Sequence, residues 1–121
     1  MAEDRKSATD LRRLSDGLRH SFAGLAAALG EGAFRLELLI AAAAIPLGLY
    51  LGQTGPQRAL LAGSVLLVLI VELLNSAIEA TVDRVSPDLH PLSKRAKDLG
   101  SAAVLLSLAN AAAVWLLVLS G

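Results

Sequence analysis

The sequence predicts an all-α membrane protein, with an N-terminal amphipathic surface helix followed by three transmembrane helices in one domain spanning 1–121. Three observations predict it. The 121 residues are 55% hydrophobic yet only 3% aromatic, with a mean hydropathy of +0.60, so the apolar mass is Ala, Leu, Val and Ile. A soluble chain this short could not hide so much aliphatic surface from water, and a bilayer removes the need to hide it. Uncharged or nearly uncharged stretches recur three times, and the basic residues between them alternate in number.

Taken in order, the first element is the surface helix, over about 11–30. Leu11, Leu14, Leu18, Phe22, Leu25 and Leu29 are spaced 3, 4, 4, 3 and 4 residues apart. That is one face of a helix, with Arg12, Arg13, Asp16, Arg19 and His20 off it. An apolar stripe flanked by arginines, just before a span, belongs in the headgroup plane, although the same pattern also suits a soluble helix packed on a partner. The residues before it, Met1 to Asp10, lack the basic head and apolar core of a signal peptide, so the spans are expected to remain in the mature protein.

The first span covers about 34–51. Its strictly apolar part is shorter than the ~20 residues of a comfortable crossing, so the helix is expected to begin near Ala33, with Arg35 and Glu37 at the interface. Pro46 is a potential kink, and Gly52-Gln53-Thr54-Gly55-Pro56 reads as a turn. The second span, about 59–80, opens on purely apolar residues and then admits Glu72, Asn75, Ser76 and Glu79. The third, about 99–119, is uncharged. It starts with Gly100, Ser101, Ala102 and Ala103, small residues that permit close helix packing. A polar loop with Pro87 and Pro91 joins the last two.

Six basic residues precede the first span, Arg58 alone follows it, four lie between the second and third, and none follows the third. The positive-inside rule therefore places the N-terminus and second loop in the cytoplasm and the C-terminus outside. Formal net charge is zero, which gives no reason to expect a nucleic-acid partner. The absence of cysteine excludes disulfides, thiolate metal sites and cysteine nucleophiles.

The chemistry lies in the second span. At 100° per residue, Glu72, Asn75, Ser76, Glu79 and Asp83 fall within about 60° of one line. An acidic residue near the bilayer centre costs about 2.5–3.5 kcal/mol, so the row needs a reason. Arg35, Glu37, Lys97, Asp98 and Glu31 are expected at the same cytoplasmic level. Converging carboxylates with a lysine suit Mg²⁺ and a polyphosphate, and a buried glutamate suits a general base. A hydrogen-bond network that only fixes packing is the plainer alternative. No phosphate-binding G-x-x-x-x-G-K-[ST] loop is present, and Gly30-Glu31-Gly32 is no dinucleotide loop. By itself His90 reads as an exposed loop histidine, Trp115 as an interface anchor, and Asn110 as a possible bridge between helices.

The run Val71-Glu72-Leu73-Leu74-Asn75-Ser76-Ala77-Ile78-Glu79-Ala80-Thr81-Val82-Asp83-Arg84 resembles the signature of the bacterial integral-membrane diacylglycerol kinases. Arg95-Ala96-Lys97-Asp98-Leu99-Gly100-Ser101-Ala102-Ala103-Val104 is similar to that family's second block, and Glu31-Gly32-Ala33-Phe34-Arg35 to a third. The resemblance implies an inner-membrane lipid kinase, a homotrimer, that uses MgATP to phosphorylate diacylglycerol. It implies Glu72 as general base with Asn75 beside it, and Glu31 and Glu79 as Mg²⁺ ligands. It places Arg13, Asp88, His90, Lys97 and Asp98, with the two metal-binding glutamates, around the nucleotide. Ala33, Phe34, Arg35, Glu37, Glu72 and Ser101 would line the lipid side.

Three departures stand out. Leu36 replaces a common glutamine, Leu89 an aromatic residue, and the chain is one residue shorter than the usual pattern between Ser21 and Glu31. The same superfamily includes undecaprenol kinases, which share the Glu-x-x-Asn-x-x-x-Glu core. Arg95 and Gly100 to Val104 resemble the diacylglycerol branch, while Pro91-Leu92 resembles the other. From a different class, the stripe also suits a proton conduit or a non-catalytic membrane subunit, though a conduit needs acidic residues across the full membrane.

Overall fold

The computed structural model describes residues 1–85 and 90–121. Its helices are α1 (Ala2–Ala28), α2 (Gly32–Leu51), α3 (Gly55–Val85) and α4 (Pro91–Ser120). They divide into two compact units, Met1–Gly32 and Ala33–Gly121.

In the first unit α1 begins well before the leucine stripe. Glu3 and Asp4 lie in its first turn, where their charge complements the helix dipole. Ser7 and Thr9 donate back to the carbonyls of Asp4 (3.1 Å) and Arg5 (2.8 Å), so these residues sit in the helix without interrupting it. Arg19 pairs with Asp16, one turn back along the helix. Leu11, Leu14, Leu18, Phe22, Leu25 and Leu29 are all exposed. The helix closes in a tight turn, with Gly30 N–H donating to Ala27 O (3.1 Å) and Glu31 N–H to Ala28 O (2.9 Å).

In the second unit α2, α3 and α4 are each long and apolar enough to cross a membrane. Helix α2 has 20 residues, about 30 Å at 1.5 Å per residue, one hydrocarbon thickness with nothing to spare. Pro46 lies inside it. The link to α3 is closed by a variant of the capping box, in which the return bond comes from the residue before Thr54. Thr54 Oγ1 accepts from Gln57 N–H (3.3 Å), and Gln57 Oε1 accepts in return from Gln53 N–H (2.9 Å). Arg58 Nε, in the first turn of α3, donates to Gly52 O (3.0 Å) and so satisfies a carbonyl at the end of α2.

Helices α3 and α4 form an antiparallel pair, and α3 is the most buried of the three spans. At one end Trp115 meets Leu61, and toward the other end Gly100 meets Asn75 and Lys97 meets Asp83. Trp115, expected as an interface anchor, also packs between helices. The ring is half-buried, and its Nε1 donates to Leu61 O (3.1 Å), because an indole N–H inside a packed apolar layer needs an acceptor. Gly48 of α2 completes this end: a methyl group there would lie 2.9 Å from Leu61 Cβ and 3.3 Å from Trp115 Cζ2. Of the four small residues opening the third span, only Gly100 is buried, and Ser101, Ala102 and Ala103 face outward.

Candidate active site

The α3 stripe is graded along its length. Glu72 is half-buried, Asn75 is buried, Ser76 is half-buried, and Glu79 and Asp83 are exposed. A single helix thus carries a carboxylate sheltered by packing and, two turns further on, one open to ligands. Asn75 links the two halves, since its Nδ2 donates to Glu79 Oε1 (3.4 Å). Its Oδ1 is buried, with no hydrogen-bond donor reaching it among the described residues.

Glu37 of α2 lies near enough to Glu72 for the two carboxylates to repel. It is half-buried at the edge of a cavity of about 150 Å³, otherwise lined by apolar residues such as Ile40, Ala44, Val65, Leu69 and Leu108. Of the other lipid-side candidates, Phe34 is buried, while Ala33, Arg35 and Ser101 are exposed.

Lys97 of α4 forms an ion pair with Asp83 (2.7 Å) and also lies in the field of Glu79. The expected convergence of Asp98 on the stripe is not seen: its carboxylate pairs instead with Lys94, one turn back along α4 (2.6 Å). His90 is the N-cap of α4. Its Nδ1 accepts from Leu92 N–H (3.1 Å), with Pro91 at the first helical position, so the bond fixes the ring and leaves Nε2 outward. Arg13 and Glu31 are exposed residues of the first unit. Asp88 and Leu89 lie outside the described residues.

No group of three His, Cys, Asp or Glu side chains converges as a metal cage among the described residues. Magnesium does not require one, because it commonly takes one or two carboxylates and completes its shell with phosphate oxygens and water. The exposed Glu79 carboxylate, steadied by Asn75, fits that donor set. Sequence reasoning missed the Lys94–Asp98 pair and the contact of Gly100 with Asn75. The (i, i+4) spacing could have signalled the first; the second needs the register between two helices.

The family model described as prokaryotic diacylglycerol kinase matches residues 19–119. A diacylglycerol kinase of Pseudomonas aeruginosa is 50% identical over 117 residues, 96% of this chain and 95% of the relative. One from Escherichia coli K12 is 45% identical over 112 residues, 92% of each chain, and one from Helicobacter pylori is 38% identical over 109 residues, 89% and 85% of the two. The chain belongs to the prokaryotic diacylglycerol kinase family. The family match takes in the whole α3 stripe and the Lys97–Asp98 segment, and it begins after Arg13.

Proposed function

We propose that this membrane kinase transfers the γ-phosphoryl group of MgATP to the free hydroxyl of diacylglycerol, giving phosphatidic acid and ADP. Family membership gives the class of enzyme. The observation that carries the chemistry is the grading of the α3 stripe, from sheltered Glu72 through Asn75 to open Glu79 beside Lys97. Glu72 accepts the hydroxyl proton as the substrate oxygen bonds to the γ-phosphorus and the bond to the β-phosphate oxygen breaks. Asn75 orients Glu79. Lys97 exchanges Asp83 for phosphate oxygens, and Asp98, His90 Nε2, Asp88 and Arg13 contribute to nucleotide binding. Ala33 to Glu37 and Ser101 face the lipid.

Magnesium, with Glu79 and Glu31 as its carboxylate ligands by motif, would neutralise charge building on the phosphates. The reaction belongs at the cytoplasmic face of the inner membrane, with the N-terminus inside and the C-terminus outside, as the distribution of basic residues favours. The exposed apolar face of α1 lies in the headgroup layer. A homotrimer is the proposed assembly, since three helices leave much of a polar stripe uncovered.

The test is a substrate panel. Purified protein in nanodiscs, supplied with MgATP and either diacylglycerol or undecaprenol, should form phosphatidic acid far faster than undecaprenyl phosphate. The reverse preference would move the chain to the sister branch, and no product from either would overturn the reading.

A further inference from the structure

Gly100 is buried against α3, and a methyl group built on it would collide with Asn75 Oδ1 and lie 3.3 Å from Asn75 Cγ. The atom it would strike is the same buried oxygen that no hydrogen-bond donor reaches among the described residues. With that oxygen turned onto α4, the other end of the carboxamide is directed at Glu79, to which Nδ2 donates. The two ends of Asn75 are therefore not interchangeable. A carboxylate accepts only from the NH₂ end, and the oxygen fits only where the facing helix offers a bare Cα, whose C–H is a weak donor.

We propose that Gly100 is a positioning residue. Its missing side chain is the space in which Asn75 seats its carboxamide oxygen, so that the amide NH₂ is held on Glu79. The inference rests on the kinase reading for its effect on turnover, but the contact itself can be tested without it. Adding one methyl group at 100 displaces the Asn75 side chain, releases Glu79 and misplaces a group aimed at the reacting phosphates. A shift of about 1 Å at such a site can cost as much as 10²-fold in rate.

The chain has two asparagines, Asn75 and Asn110, so selective ¹⁵N-asparagine labelling gives two side-chain NH₂ signals. In full-length protein in micelles, Gly100→Ala should move the Asn75 signal and leave that of Asn110 in place. Glu79→Gln should move the same signal from the other side. Turnover of Gly100→Ala should fall about 10- to 100-fold while KM for the lipid stays within about twofold. Gly63→Ala, at a position where a methyl group meets nothing within 4 Å, should leave both the spectrum and the activity unchanged.

If Gly100→Ala keeps the wild-type Asn75 signal and turnover while Glu79→Ala is inactive, the positioning role is wrong and the kinase reading stands. If wild-type protein phosphorylates no lipid, the kinase reading fails, and the spectra still decide the contact. Should Gly100→Ala fail to assemble, Gly100→Ala combined with Asn75→Ala should restore assembly by emptying the crowded space. No restoration would overturn the proposal.

Discussion

At the scale of single residues, the carboxylates of the stripe differ in exposure. Glu72 is sheltered and close to a second carboxylate, while Glu79 is open and steadied by an amide. Glu72→Gln keeps the shape and removes the proposed proton acceptor. Turnover should drop about 10²–10⁴-fold with assembly unchanged by size-exclusion chromatography, and near-normal activity would reassign the base. Lys97 is engaged by Asp83 with both side chains substantially exposed, so the pair contributes little to stability. Asp83→Asn should leave Tm almost unchanged and lower KM for MgATP about two- to fivefold, by removing a competitor for the Lys97 ammonium. A raised KM would show that Asp83 holds Lys97 for the nucleotide rather than against it. The identity of these residues was readable from an (i, i+3, i+4) spacing in an apolar run. Which cation meets which carboxylate was not, because Lys97 and Asp83 come from different helices, and Asp98 prefers a partner on its own.

At the scale of elements, hydropathy identified the three long helices, because lipid-facing aliphatics leave a signal in composition. The layer where they touch left none. Gly48, Leu61 and Trp115 lie on three different helices, and no local pattern marks a glycine that admits an indole. The Thr54–Gln57 box was present as a T-x-x-Q spacing in a segment read only as a turn. Gly48→Ala should overpack this layer, costing about 1–3 kcal/mol. Trp115 is the only tryptophan, so the strain can be read as a shift of its emission together with earlier thermal unfolding. Unchanged emission and stability would mean that the helices separate freely at this level.

At the scale of the whole molecule, α4 is the least buried of the spans, and large aliphatic residues such as Leu105, Leu106, Leu116 and Leu117 point away from the protein. Lipid covers such surface readily, but it does not cover carboxylates, and the proposed trimer answers that need. Chemical crosslinking in mild detergent should give species of one, two and three chains and none larger. A ladder stopping at two would replace the trimer with a dimer.

Helix length has one more consequence. With 31 residues, α3 is about 46 Å long, roughly half as long again as the hydrocarbon it must cross. If Arg58 marks one boundary, a layer of about 30 Å ends near Ile78, and Glu79 stands at its edge, about 10 Å along the helix from Glu72. With the proposed roles of Glu72 and Glu79, the rod would be a gauge between two solvents, holding one reactant's depth fixed relative to the other's. Membrane thickness should then tune the enzyme directly. Across bilayers of increasing acyl length, turnover should pass through a maximum and fall on both sides, as thin membranes strand the lipid hydroxyl below Glu72 and thick ones drown the water-facing end. A flat profile would mean that the protein deforms its surroundings rather than measuring them.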